Sequence, residues 1–131
     1  MSSDKSSEKT SGAGSTGNYD VVIIGAGVSG MYAVHHFREM GLSVRAYDGA
    51  TDVGGTWWYN RYPGARVDGP GSPYYCYTFS DELMEEWDWD ETQSEGKDVL
   101  AYIEHVATRF DLRRDIQFDQ LLVKRIPIAV G

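Results

Sequence analysis

The stretch YDVVIIGAGVSG, residues 19 to 30, constrains the fold more than any other part of the chain. Val21 to Ile24 is a continuous apolar run rich in β-branched side chains and stopped by glycine, the pattern of a strand covered on both faces of a parallel sheet. The motif Gly25-x-Gly27-x-x-Gly30 follows at once. MYAVHHFREMG then places Met31, Val34 and His35 or Phe37 at helical spacing before Gly41 supplies the stop. LSVRAYD turns Leu42, Val44 and Ala46 inward and closes on Asp48. Strand, helix and strand within about 30 residues form a βαβ unit, so the chain is predicted to be an α/β protein built on a parallel sheet. Farther on, DVLAYIEHVATRF repeats apolar groups at Val99, Ile103, Val106, Ala107 and Phe110, one face of a helix. DIQFDQLLVKRI, with Ile116 and Phe118 alternating, reads as a third strand.

Each glycine of the motif has a physical task. Gly25 permits a tight turn off the strand, Gly27 lets the backbone approach a pyrophosphate, and Gly30 allows close helix–strand packing. The helix N-terminus, with a partial charge of about +0.5, then points at the phosphates. Asp48 lies at the end of the second strand, where a carboxylate can accept hydrogen bonds from both hydroxyls of an adenosine ribose and disfavours a 2′-phosphate. The first site therefore suits FAD or NAD better than NADP. The motif does not choose between a nicotinamide dehydrogenase and a flavin enzyme.

The next segment bears on that choice. TDVGGTWWYNRYPGARVD, residues 51 to 68, has neither helical nor strand periodicity. Gly54 and Gly55 permit a tight backbone turn, and Trp57, Trp58 and Tyr59 offer π-faces that can stack on flat rings or shield a reactive centre. Arg61 and Arg66 flank the Pro63-Gly64 turn, placed to contact phosphates or an anionic reduced flavin.

Charge and composition narrow the partners. The formal charge is −8, and residues 81 to 95, DELMEEWDWDETQSE, hold many carboxylates and no Lys or Arg. That balance argues against nucleic acid and anionic membranes as partners. The acidic stretch reads as a solvated face, because Leu83, Met84, Trp87 and Trp89 interrupt it and its spacing is not that of a calcium loop. Residues 1 to 18 are Ser/Gly-rich with no large apolar residue beyond Met1, and are expected to be a disordered leader to a domain spanning 19 to 131. No run reaches the ~18 apolar residues of a membrane span, which leads to the expectation of a soluble, cytoplasmic protein. Cys76 is the sole cysteine, which excludes an intrachain disulfide and a multi-cysteine metal site, and reads as a buried small hydrophobe.

Taken together, VVIIGAGVSG, the Asp48–Trp57 stretch D-x-x-x-D-V-G-G-T-W, NRYPGARVD from Asn60 to Asp68 and YYCYTFS from Tyr74 to Ser80 resemble the Baeyer–Villiger flavin monooxygenases. The likeness runs from residue 19 to about 119. It implies a Rossmann-like FAD-binding domain whose site draws on Gly25, Gly27, Ser29, Gly30, Asp48, Thr56, Trp57, Asp68 and Tyr75, with Arg66 to Asp68 near the nicotinamide side of the flavin. Trp58, Tyr59 and Arg66 join this cofactor-binding set from the residue reading above. Family members usually carry Glu where Asp48 stands, and the shorter acid is expected still to reach the ribose. The implied reaction takes NADPH, O₂ and a small-molecule ketone and gives an ester or lactone. Flavin monooxygenases that oxidise nitrogen or sulfur share the glycine motif and a GG-x-W element; RYPG followed by A-R-x-D favours the ketone oxidisers. A non-catalytic nucleotide-binding product is the third reading.

The family's second Gly-rich motif and its F-x-G-x-x-x-H-x-x-x-W signature do not occur in this sequence, and LLVKRIPIAVG departs from the family pattern. His35, His36 and His105 sit on helices and read as packing or surface residues. The expectation is an N-terminal, truncated portion of a FAD/NAD(P)-binding domain, with no catalytic residue or metal site of its own. Alone, it is expected neither to hold FAD stably nor to turn over NADPH. The oligomeric state is left open.

Overall fold

The computed structural model describes residues 17–68 and 75–121. Nearly all of the expected leader, and the distal half of the third-strand stretch, lie outside the described residues.

The βαβ unit forms as the pattern requires. Strand β1 (Val21–Ile24) leads through the glycine turn to helix α1 (Val28–Glu39), and the chain returns as β2 (Val44–Tyr47). β1 pairs with β2 in parallel, Val21 opposite Val44 and Ile24 opposite Tyr47. A short β3 (Ile116–Gln117) adds to the other edge of β2, also in parallel, with Ala46 opposite Ile116. The sheet order is β1-β2-β3, so β2 is central among the described strands.

That central position explains a departure from simple alternation. Val44 and Ala46 are buried as expected, but so is Arg45, at 8% exposure. Its guanidinium donates to the Tyr19 hydroxyl at 3.2 Å and lies over the Tyr19 ring, 5.2 Å from its centroid. The expectation that β1 is covered on both faces is corrected. Val22 and Ile24 are 56% and 62% exposed, because the described residues pack on the Ile23 side of β1.

α1 buries Met31 and Val34 completely, while Phe37 and His35 pack at the margin. Its C-terminal end is closed by Gly41, whose φ of +83° is the left-handed conformation that glycine adopts freely. Arg38 then reaches across the chain, donating to Asp115 Oδ2 at 2.7 Å and to the carbonyls of Phe110 and Asp111 at 2.9 Å each. It satisfies carbonyls at the end of a second helix, where the backbone has exhausted its own donors.

The segment after Asp48 contains one helical turn, α2 (Thr56–Tyr59), that its lack of periodicity did not announce. The acidic stretch also has more structure than a solvated face. Ser80 caps α3 (Asp81–Glu85) by accepting from the Leu83 amide at 3.1 Å, with Asp81 and Glu82 placed favourably in the first turn. Leu83 is fully buried. Helix α4 (Gly96–Arg109) begins slightly earlier than its apolar pattern and buries Val99, Ile103, Val106 and Ala107, together with Tyr102. One apolar cluster joins α1, β2, α4 and Ile116. No helix among the described residues is long and apolar enough to cross a membrane.

Candidate functional site

The glycine motif is held by three bonds to two other parts of the chain, the end of β2 and the GGTW segment. The Gly25 amide donates to the Tyr47 carbonyl at 2.8 Å, the Ala26 amide donates to Asp48 Oδ2 at 2.6 Å, and the Gly54 amide donates to the Ala26 carbonyl at 3.1 Å. Gly25 has φ +111°, and a Cβ built on it would meet nothing within 4 Å, so the loop presents bare backbone there. At Gly30 the opposite holds: a Cβ would lie 2.0 Å from the Gly25 carbonyl oxygen. This is the close helix–strand approach the sequence anticipates.

Gly27 also meets a second demand. A Cβ there would meet the Gly55 Cα at 3.2 Å, and a Cβ on Gly55 would meet the Gly27 Cα at 2.8 Å. The two glycines face each other. The space beside Gly27 therefore admits the GGTW segment, and the exposed approach to the backbone is at Gly25.

α1 opens with Gly27 as N-cap, no capping side chain and no acid in its first turn. Its amino-terminal amides and the exposed Ser29 are consequently available to an anion. Beside them, a cleft of about 610 Å³ runs over the ends of β1 and β2, lined by Val22, Ile24, Gly25, Tyr47, Asp48, Gly49, Tyr59, Gln120 and Leu121. A dinucleotide fits this arrangement: bare backbone and a helix N-terminus for phosphates, apolar and aromatic walls for a base. Asp48 is buried at the floor, and its Oδ1 accepts from the Ala50 amide at 2.8 Å. Tyr47, Gly49, Gln120 and Leu121 were not singled out from sequence. A Cβ on Gly49 would meet Leu121 at 3.1 Å and the Tyr59 hydroxyl at 3.6 Å, so a glycine there keeps the cleft open.

The aromatic run splits into separate environments. Trp57 donates its indole N–H to the Tyr75 hydroxyl at 2.6 Å, and the two rings meet edge to face. A Cβ on Gly96 would come within 3.2 Å of that indole, so the start of α4 backs the ring closely. Trp58 carries Arg61 stacked over its face, 4.1 Å from the ring centroid. Tyr59 is exposed at the mouth of the cleft. Thr56 is exposed, and its hydroxyl accepts from Asn60 Nδ2 at 3.0 Å. Asp68 is exposed at the end of its described segment.

Arg66 is bonded to the acid-rich segment. Its guanidinium donates to Glu91 at 3.2 Å, to the Gln93 carbonyl at 2.9 Å and to Glu95 at 3.3 Å. The reason is charge: the acid-rich segment offers carboxylates and no cation of its own. Backbone bonds from Val67 to Ser94 at 3.1 Å and from Gly96 to Ala65 at 2.7 Å lock the same two segments together.

A smaller cavity of about 260 Å³ lies between α1 and α4, lined by Val28, Tyr75, Cys76, Tyr77, Tyr102 and Ile103. Cys76 is half-buried there, where full burial was expected. The Tyr77 hydroxyl donates to the Val28 carbonyl at 2.5 Å, and the Tyr77 amide donates to the Tyr102 hydroxyl at 2.8 Å. Burial pushes the Tyr77 phenol well up, assisted by its tyrosine neighbours, and pushes Tyr102 up to about 12. Both are neutral hydrogen-bonding groups at any ordinary pH. Among the described residues, no three His, Cys, Asp or Glu side chains gather as a metal site.

Comparison with known proteins agrees with this geometry. Residues 23–88 match the family described as NAD(P)-binding Rossmann-like domain. Over 112 residues the chain is 49% identical to a Baeyer-Villiger monooxygenase of Pseudooceanicola batsensis, covering 85% of this chain and 20% of that protein. It is 45% identical over 101 residues to phenazine N-monooxygenase PhzNO1 of Lysobacter antibioticus, covering 76% of this chain and 18% of that protein. Among solved structures, an oxidised steroid monooxygenase bound to NADP superimposes with a TM-score of 0.75 at 58% identity, over 77% of this chain and 19% of that one. The chain thus spans about a fifth of the length of the curated relatives it matches.

Proposed function

This chain belongs to the NAD(P)-binding Rossmann-like domain family, and from that membership we propose that it forms the FAD-binding βαβ portion of an NADPH-dependent flavin monooxygenase of Baeyer–Villiger type. The observation that carries the reading is the seam between Gly27 and Gly55. It joins the glycine loop, which alone is common to many dinucleotide proteins, to GGTW, which is not. One backbone-to-backbone contact makes a single site of the two motifs.

In that site Gly25, Ser29 and the first turn of α1 hold the pyrophosphate, with Gly27 and Gly30 shaping the loop. Asp48 places a negative charge where a 2′-phosphate would have to sit, which favours FAD over NADP at this position. Thr56, Trp57, Trp58 and Tyr59 on α2, with Tyr75 bonded to Trp57, line the way toward the flavin ring and limit its access to water. Asp68 belongs to the same wall. The Arg66 guanidinium fixes the 65–67 segment against the acidic segment and so holds Asp68 in place. Bound FAD supplies the redox chemistry, accepting hydride from NADPH and delivering electrons to O₂. The overall reaction balances as ketone, O₂, NADPH and a proton giving ester or lactone, NADP⁺ and water. Nitrogen oxidation is the second reading, favoured by the 45% identity to an N-monooxygenase.

The test is a titration of the isotope-labelled chain followed by amide NMR shifts, which detects weak as well as tight binding. FAD is expected to move the amides of residues 25–30 and those of Trp57 to Tyr59 saturably, with at least tenfold greater affinity than NAD⁺. Equal or stronger binding of NAD⁺ would replace the flavin reading with a nicotinamide one.

A further inference from the structure

We propose that Tyr77 is a positioning residue for the pyrophosphate, its hydroxyl orienting and polarising the Ser29 amide through the Val28 carbonyl. The inference rests on the dinucleotide site proposed above. Its geometry starts at the open end of α1. The first amide to find a partner inside that helix is that of Met31, which donates to the Gly27 carbonyl at 2.9 Å. The amides of Val28, Ser29 and Gly30 come before it and point out of the helix, toward the space where phosphates would lie. The Tyr77 hydroxyl donates to the Val28 carbonyl at 2.5 Å. That carbonyl belongs to the same planar peptide as the Ser29 N–H, and in a trans peptide the two point in opposite directions. A donor fixed on the carbonyl side thus fixes the direction of the N–H on the other. It also draws electron density toward the carbonyl oxygen, which strengthens the Ser29 N–H as a donor by about 10 to 30%.

Tyr77 suits this task because it is anchored away from α1. Its amide donates to the Tyr102 hydroxyl at 2.8 Å, and the two rings stack with centroids 6.2 Å apart. Phe79 also packs against the Tyr77 ring, at 5.3 Å. Tyr102 is itself buried on α4, 3% exposed and in ring contact with Trp87 and Trp89. The hydroxyl thus ties the first turn of α1 to α4, across the cavity between the two helices. Burial keeps the phenol protonated at any ordinary pH, so the donor is always present. A backbone carbonyl has two lone pairs, of which the helix ladder uses one, and the Tyr77 bond takes the other. The helix closes without it. What the hydroxyl adds is direction and polarity at Ser29, since phenylalanine would fill the same space in the core.

The experiment compares ADP with adenosine, which lacks only the pyrophosphate, on the isotope-labelled chain by amide NMR. Tyr77→Phe is expected to weaken ADP at least fivefold and adenosine less than twofold. In the nucleotide-free protein it is expected to move the Ser29 amide proton and nitrogen upfield. A merely structural hydroxyl would weaken both ligands alike. 3-Fluorotyrosine at position 77, a more acidic phenol of nearly the same size, is expected to act in the opposite direction, tightening ADP about twofold and moving the Ser29 amide downfield. It decides the matter if Tyr77→Phe does not fold. Equal losses of ADP and adenosine, unchanged ADP binding, or a Ser29 amide that does not move would overturn the proposal. If the unmodified protein binds neither ligand, or holds ADP no more tightly than adenosine, the pyrophosphate site itself fails and the role of Tyr77 with it.

Discussion

Replacing Gly30 with alanine tests the tightest contact in the site. The added methyl carbon would lie 2.0 Å from the Gly25 carbonyl oxygen and 2.8 Å from its carbonyl carbon. Both are backbone atoms, so no side chain can rotate away, and ordinary contact requires the first turn of α1 or the loop to retreat by about 1 Å or more. Overpacking of this kind costs about 1 to 3 kcal/mol. Retreat of the loop also strains the bonds from Gly25 to Tyr47 and from Ala26 to Asp48, each worth about 1 kcal/mol or more when buried. Alanine returns about 1 kcal/mol through its better helix propensity. The net expectation is a loss of about 2 to 4 kcal/mol, which for a domain of about 100 residues lowers the melting temperature by roughly 8 to 30 °C. Gly41→Ala is the control. It has φ +83° and nothing within 4 Å, so it carries only the left-handed penalty of about 1 to 2 kcal/mol, and it lies away from the cleft. Urea unfolding and FAD-induced amide shifts should separate the two: Gly30→Ala loses more stability and loses binding, whereas Gly41→Ala loses less and keeps it. If Gly30→Ala were within 0.5 kcal/mol of the unmodified protein, or less damaging than Gly41→Ala, the close approach of helix and loop would be wrong.

Arg38→Ala should cost about 2 to 3 kcal/mol, because it strands Asp115 and two carbonyls at the end of α4; Arg38→Lys should recover little of it, lacking the fork that serves three acceptors, and urea midpoints report both. Acid should weaken the fold in two stages. Burial against Phe79 and Phe110 lowers the His35 pKa, so the unfolded chain takes up a proton first, and stability falls as pH drops below 6.5 toward the folded value. Burial raises the Asp52 carboxyl, but bonds from Arg113 and the Val53 amide outweigh it and lower the pKa overall. Its contribution is complete above 3.8 and disappears as pH falls through the folded value. Urea midpoints across this range should show both losses, and His35→Phe should flatten only the upper one.

The βαβ unit was legible because strand and helix periods differ and glycine marks both junctions. Met31, Val34, Val44 and Ala46 are buried where their spacing put them. Arg45 was not legible, since its burial depends on β2 having a neighbour on each side, which alternation along one strand does not encode. The site was half legible. The glycines and Asp48 come together as their motif implies. Their partners do not follow from it, because Gly27 against Gly55 and Asp48 against Ala26 are contacts to backbone, and backbone has no sequence signature. The partners of Arg66 were not legible for a plainer reason: an acid-rich stretch without a base, taken as facing water, needed a cation and found one.

The Gly27–Gly55 seam also has a meaning in time. Synthesis delivers the glycine motif early, but the bonds that shape it arrive from Tyr47, Asp48 and Gly54, some 22 to 28 positions later. Closing a loop of that size costs entropy before any contact repays it. The glycine turn is thus unfinished until the GGTW segment has left the ribosome. An interruption of translation between them would leave a strand and a helix with no phosphate-binding turn between them.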